Sequence, residues 1–194
     1  MANLNSLKTV VRIWNEHSND GDEEFWAKVL QTILLDYHPG IRRTDRLFQD
    51  HSCVGGKTIE DCSGNIADFL LRNRFTENVL IVEIKPPLTL LLGQSTRRGA
   101  YRLSSELSGS LSLILKYKHE LQRHYDQLQK EDEQFKAFDP RCMVVAGHLA
   151  LQLPKEHSMI RSFTLLRNDS RNVSTISYDE LFEKVEMLIK LLEE

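Results

Sequence analysis

The sequence predicts an α/β fold, a mixed β-sheet flanked by helices on both sides. Three observations predict it. Short apolar runs rich in Val and Ile stand at 66–71, 79–85, 141–147 and 173–178, with the length and composition of strands. Other segments carry apolar residues at helical spacing, most clearly Leu181, Phe182, Val185, Leu188, Ile189 and Leu192. The two kinds of segment interleave as helix, hairpin, long helix, strand, short helix, strand, helix, which is the order of a layered α/β domain.

Each element has a local reason. Residues 1–14 hold an amphipathic turn or two (Leu4, Leu7, Val10, Val11, Trp14), so 1–19 reads as an N-terminal helical extension of a domain over 20–194. A helix follows, with Trp26, Val29, Leu30, Ile33 and Leu34 on one face. Asp20 or Asp22 can cap its start, Glu23 and Glu24 suit its positive end, and His38-Pro39-Gly40 stops it. Residues 40–65, polar and glycine-bearing, read as loops with one short strand near Phe48. The runs 66–71 and 79–85 make an antiparallel hairpin closed by a turn over 73–78. Pro86 and Pro87 lack N–H donors and cannot continue a central strand. A long helix is expected over about 101–129, striped by Leu107, Leu111, Ile114, Leu121, Tyr125 and Leu128, and a solvated connection over 131–140. The run 141–147 is a third strand, 157–166 a short helix and 173–178 a fourth strand. Ser177 and Glu180 fit the capping box of the last helix.

Composition bounds the function. With 194 residues the chain can bury a real core, and 41% hydrophobic with 27% charged is ordinary for a globular domain. No run approaches the roughly 18–20 apolar residues of a membrane span. The first residues lack the pattern of a signal peptide. Cys53, Cys62 and Cys142 are odd in number and spaced for neither a zinc cluster nor a disulfide framework, so a cytoplasmic location with reduced thiols is expected. A net charge of −3 argues against coating nucleic acid through bulk charge. Basic residues nevertheless bunch at Arg42/Arg43/Arg46, Arg72/Arg74 and Arg97/Arg98/Arg102; each bunch reads as a basic face or as a solvated loop. The seven histidines are scattered, and neither a nucleophile-elbow serine motif nor a dinucleotide-binding glycine fingerprint is present.

The stretch VLIVEIKPP, residues 79–87, carries the chemistry. A strand buried on both faces has no ordinary place for a carboxylate. Glu83 and Lys85 point to the same side of it, ~7 Å apart along the chain. The hairpin brings Asp68 alongside Glu83. Two carboxylates held together repel unless a cation separates them, and hard oxygen donors suit Mg²⁺ or Mn²⁺. A lysine beside such a metal can stabilise charge on a phosphate. The same E-x-K also fits a buried Glu–Lys ion pair, or an edge strand whose side chains reach water.

The context resembles a known family. Asp68 followed by VEIK at the end of a hairpin resembles the PD-(D/E)xK nuclease superfamily, with its restriction-endonuclease-like core. More closely, the segments DEEFWAKVL (22–30), VGGKTIEDCSGNIADFLLRNRFTENVLIVEIKPP (54–87), RLSSELSGSLSLILKYK (102–118) and ISYDELFEKVEMLIKLL (176–192) resemble the nuclease domain of the Shedu anti-phage defence family. The resemblance implies a metal-dependent endonuclease hydrolysing DNA, assembled as a homo-oligomer. It implies that Asp68 and Glu83 bind the metal together with the Ile84 carbonyl, that Lys85 is the catalytic lysine, and that Glu23 stands where the family has an acidic residue near the metal. Glu23 equally suits its helix start. Lys57 of the VGGK loop looks like part of a family signature, a DNA contact or only a turn. Arg72, Arg74, Arg97 and Arg98 are candidate DNA-backbone contacts. Two positions depart from the pattern: Ala67 replaces the usual proline, and Leu113 stands in the frame where relatives present a glutamine. The alternative is a catalytically weak DNA-binding or oligomeric sensor module of the same fold, with segment 4–14 and the last helix offering apolar faces for assembly.

Overall fold

A computed structural model describes residues 4–37, 41–42, 52–53, 66–73, 76–126, 136–153 and 157–193. The elements in order are α1 (Leu4–His17), α2 (Glu23–Tyr37), β1 (Ile41–Arg42), β2 (Ser52–Cys53), β3 (Ile66–Ala67), β4 (Phe69–Asn73), β5 (Asn78–Ile84), β6 (Leu92–Ser95), β7 (Tyr101–Leu103), α3 (Ser105–Arg123), β8 (Lys136–Val145), α4 (Leu149–Gln152), α5 (His157–Asp169), β9 (Val173–Ile176) and α6 (Tyr178–Glu193). The central sheet runs β1-β4-β5-β8-β9. β1, β4 and β5 are antiparallel, whereas β5, β8 and β9 are parallel, so the sheet is mixed.

Register fixes what each face carries. Ile81 pairs with Cys142, and Glu83 with Val144. Side chains alternate along a strand, so Glu83 shares a face with Cys142. That face is covered by α3, where the Cys142 thiol meets the Ile114 carbonyl at 3.9 Å. Burial pushes that thiol up to about 11, the state of an inert packing cysteine. Elsewhere α1, α2 and α6 meet in an aromatic cluster. Trp14 stacks on Phe182 at 4.8 Å and lies edge-on to Trp26 at 5.7 Å. Leu7, Val10 and Trp14 of α1 thus belong to the same core as the sheet, and the apolar faces of α1 and of the first turns of α6 lie against each other.

Several expected boundaries shift. The run 66–71 is not one strand: the backbone breaks at Asp68, and Ala67 turns to pair with Ser52. The expected long helix starts at Ser105, because Tyr101–Leu103 pairs with Leu92–Ser95 as a hairpin. Alternation over three residues is too short a signal to displace a helical stripe. Ser104 ends that hairpin and caps α3, its hydroxyl accepting from Leu107 N at 3.0 Å. The connection expected over 131–140 is already strand from Lys136, with a register break around Pro140, which has no N–H to give. The helix expected over 157–166 extends to Asp169, and the short α4 has no counterpart in the periodicity. Where local chemistry is explicit the expectations hold. Asp22 caps α2, accepting from Glu24 N at 2.9 Å and Phe25 N at 3.2 Å. The Ser177/Glu180 box closes reciprocally, Ser177 N donating to Glu180 Oε2 at 3.1 Å. The expected strand near Phe48 lies outside the described residues.

Gly147 locks the carboxyl ends of the parallel strands together. It has φ +71°, its N–H donates to Pro86 O at 3.2 Å, and its carbonyl accepts from Tyr178 N at 3.0 Å. A Cβ there would stand 2.6 Å from Leu91 Cδ2 and 2.9 Å from Thr89 O. Gly147→Ala combines a left-handed backbone with a backbone clash and is expected to lower stability by roughly 2–4 kcal/mol, read from urea denaturation.

Candidate functional site

The site forms where β5 stops. β4 and β5 pair Phe69 with Val82, so one further step along each strand sets Asp68 opposite Glu83. The ladder ends there by a side-chain substitution: Ile84 N–H donates to the Asp68 carboxylate, Oδ2 at 2.6 Å. That bond fixes the aspartate at the strand end and explains the break between β3 and β4. Lys85 then leaves the strand, its N–H still donating to Val145 O at 2.8 Å.

The Lys85 ammonium gathers the remaining acids. Its Nζ lies 2.7 Å from Glu23 Oε1 and 3.2 Å from Glu83 Oε1. Glu23 arrives from the first turn of α2, whose start is held by the Asp22 cap and by Trp26 Nε1 donating to Asp20 O at 2.9 Å. Asp68, Glu83, Ile84, Lys85 and Glu23, five positions from three separate stretches of chain, therefore converge.

Electrostatics at the cluster are dominated by Glu83. Its side chain is only 4% exposed. Burial, reinforced by the Asp68 charge, pushes its carboxyl from 4.5 up to about 7, with Lys85 opposing and Glu23 adding to the rise. Burial alone would lower the Lys85 ammonium, but its hydrogen bond to Glu23 and the Glu83 charge outweigh that and leave it raised. The cluster lacks positive charge relative to its carboxylates, which is the condition a divalent cation would relieve. Among the described residues no group of three or more His, Cys, Asp or Glu side chains has metal-holding geometry. Asp68 and Glu83 do set two carboxylates side by side there, hard oxygens of the kind a divalent cation takes.

Beside the cluster lies an open cleft of about 550 Å³. Glu23, Lys85 and Pro86 line one side; Ser105, Glu106, Gly109, Ser110 and Leu113 of α3 line the other. Leu113 does face the cleft, so the polar group expected in that frame is replaced by a methyl-bearing surface. Glu106 is a cleft residue that sequence reasoning missed; its signal was the spacing Glu106, Gly109/Ser110, Leu113 along one helix face. The cleft wall over 86–91 is clamped by Gln152, whose amide donates to Pro87 O at 3.0 Å and Thr89 O at 2.8 Å and accepts from Leu91 N at 2.9 Å.

The basic candidates are not gathered in the same way. Arg72 pairs with Val79, at the other end of β4 from Asp68, roughly 13 Å along the strand. Arg97 and Arg98 sit in the turn between β6 and β7, with Arg98 exposed at φ 73°. Lys57 and Arg74 lie outside the described residues.

The raised Glu83 carboxyl has a signed consequence. Between pH 4.5 and about 7 the folded chain binds a proton that the unfolded chain has lost. Glu83's share of stability is therefore full below about pH 4.5 and is lost as pH rises through 7. Glu83→Gln carries no such loss. With chelator present, the variant is expected to gain stability relative to wild type between pH 5 and pH 8, by on the order of 2–3 kcal/mol in urea denaturation. A difference that stays constant over that range would place the carboxylate in a better-solvated setting than this geometry gives it.

The family described as Shedu protein SduA, C-terminal, matches residues 20–182. Shedu protein SduA of Bacillus cereus (strain B4264) is 33% identical over 201 aligned residues, covering 100% of this chain and 52% of the relative. The chain spans about half the length of that curated relative. With the matched segment containing α2, the β4–β5 hairpin, α3 and the start of α6, the chain belongs to the Shedu SduA family, in the part that corresponds to its C-terminal domain.

Proposed function

We propose that the chain is a metal-dependent DNA endonuclease domain of the PD-(D/E)xK type, serving cytoplasmic anti-phage defence. The observation that carries the reading is the buried Glu83 carboxylate set opposite Asp68, with a lysine ammonium 3.2 Å away at the strand end. Neither a packing role nor a simple ion pair accounts for a second carboxylate beside a buried one. Asp68, Glu83 and the Ile84 carbonyl would hold Mg²⁺ or Mn²⁺. That ion, when bound, supplies charge neutralisation at the phosphate and a more acidic water.

The chain's own residues supply the rest. Ile84 N–H holds Asp68 in place, so the carboxylate needs no reorganisation on binding. Lys85 is fixed by its backbone bond to β8 and reaches into the cleft with a full positive charge, suited to a phosphate oxygen in the transition state. Glu23 keeps the ammonium protonated and oriented. The open cleft admits an extended backbone, and Arg97 and Arg98 on the β6–β7 turn, with Lys57, Arg72 and Arg74, are the proposed further phosphate contacts. Assembly into a homo-oligomer belongs to the same proposal; among the described residues no helix is long and apolar enough to cross a membrane.

A second reading rests on Leu113. A leucine lining the cleft where a polar contact would serve catalysis favours a DNA-binding sensor with weak or no turnover. Supercoiled plasmid separates the two. The nuclease reading expects nicking or linearisation with Mg²⁺ or Mn²⁺, none in EDTA, and a loss of about 100-fold or more in folded Lys85→Ala and Glu83→Ala. The sensor reading expects no cleavage by folded wild type and DNA binding that persists in EDTA. Cleavage surviving both substitutions would place the chemistry elsewhere.

A further inference from the structure

The cleft does not end at Ser105. That residue also lines a second groove of about 480 Å³, set between the β6–β7 hairpin and the start of α3. Gly93, Gln94 and Arg102 line it from the hairpin, and Ser104, Ser105 and Ser108 from the start of α3. The two hollows differ in charge. The cleft sets Glu23 and Glu106 against Lys85. In the groove Arg102 is the one charged lining residue among those described, and its exposed guanidinium makes no ion pair with a described residue. Ser105 and Ser108 stand exposed beside it.

The fold aims this arginine. Leu92 pairs with Leu103 and Ser95 with Tyr101, so β6 takes three steps where β7 takes two. Gly93 and Gln94 therefore stand together opposite Arg102, the arrangement of a β-bulge, which re-aims the side chains around it. A Cβ on Gly93 would lie 3.6 Å from both Cγ and Nε of Arg102, so the arginine stem lies across the bare backbone of the glycine. The hairpin is itself pinned. Tyr101 N–H donates to Ser162 Oγ at 3.1 Å, Ser104 N–H to Leu91 O at 3.2 Å, and Leu91 N–H to Gln152 Oε1 at 2.9 Å. A side chain held on such a base loses less freedom when it meets a ligand.

An aimed, unpaired guanidinium beside exposed hydroxyls suits a phosphate oxygen, and the place proposed for the reacting phosphate adjoins it. We propose that the groove is a second phosphate subsite, in which Arg102 holds another phosphate of the DNA strand whose reacting phosphate lies at Lys85. The strand passes from cleft to groove over Ser105, the residue both share. This rests on the DNA substrate proposed above and adds the path its backbone takes. Arg102 is a binding residue, apart from the reacting atoms. It supplies positive charge next to a cluster whose own carboxylates outnumber its ammonium.

Binding tests this without turnover. A fluorescent DNA oligonucleotide is titrated by anisotropy over a range of salt, with Ca²⁺ in place of Mg²⁺. Arg102→Gln, a change on the surface, is expected to weaken binding about fivefold and to flatten the plot of log affinity against log salt by one phosphate contact, roughly 0.7–0.9 in slope. Gly93→Val places methyl groups in the path of the arginine stem. It is expected to cause a similar loss alone and no further loss in the Arg102→Gln background; should it not fold, the slope of Arg102→Gln decides by itself. Wild-type affinity and slope in Arg102→Gln would overturn the proposal, as would an equal Gly93→Val loss in both backgrounds. In cleavage with Mg²⁺, Arg102→Gln is expected to raise KM about fivefold at unchanged kcat; a fall in kcat at unchanged KM would also overturn it. Folded wild type that binds no DNA would sink the substrate and this subsite together. Binding without cleavage would sink the nuclease reading alone, and the affinity and salt slope would still decide the role of Arg102.

Discussion

The site depends on one electrostatic constraint: a carboxylate is kept out of water at the end of a central strand. Glu83 is buried because β5 is covered on its α3 side and paired on both edges, by β4 and by β8. A lone ionised carboxylate in that position would be costly enough to consume much of a domain's stability. The neighbouring groups all answer this cost or exploit it. Lys85 comes from two residues further on, just past the end of β5, and Glu23 comes from α2 to hold the ammonium in its turn. Asp68 makes matters worse, which is why its placement opposite Glu83 speaks for a cation rather than for stability.

Keeping such a cluster in register needs a rigid frame, and the fold supplies it through backbone and amide bonds more than through side-chain salt bridges. The Asp22 cap and the Trp26–Asp20 bond fix the start of α2 and hence the approach of Glu23. Lys85 N–H, Gly147 N–H and Tyr178 N–H each donate across the ends of β5, β8 and α6. Gln152 uses both ends of its amide to hold the loop after Pro86. Apart from the exposed Asp22 carboxylate cap, these are bonds between neutral groups, little affected by salt and pH. The charged groups they carry can therefore change partner without the frame moving.

The strands and the hairpin were legible because a strand buried on both faces keeps a short, continuous Val- and Ile-rich run. The caps were legible because Asp22, Ser177 and Glu180 act within one turn of where they stand. The Asp68–Glu83–Lys85 juxtaposition followed from the hairpin register alone. Other features were silent for equally physical reasons. The β6–β7 hairpin is too short to outweigh the helical stripe beside it. Nothing near Pro140 announces that a strand can begin before it and bulge. Glu23 meeting Lys85 is a contact between residues 62 positions apart, visible in the chain only by resemblance. The aim of Arg102 could not be read at all, since it depends on a one-residue slip in the pairing of that same short hairpin.

The acidic balance of the chain and the chemistry of the cleft are compatible, because they act at different ranges. Beyond about 8–10 Å, salt screens exposed charge, so a net charge of −3 says little about what happens at one strand end. Within that distance the cluster is short of positive charge, with Asp68, Glu83 and Glu23 set against Lys85. A polyanion cannot approach three carboxylates and one ammonium unless a cation joins them. On the proposed function, substrate binding and metal binding would therefore be one coupled event at this site. The leucine at 113 leaves the α3 wall of the cleft without a polar contact at that position, so the charged groups of the cleft are those of Glu23, Lys85 and Glu106. On the proposed function, whether the outcome is hydrolysis or only capture turns on how the Lys85 ammonium shares its three donors among Glu23, Glu83 and a phosphate oxygen.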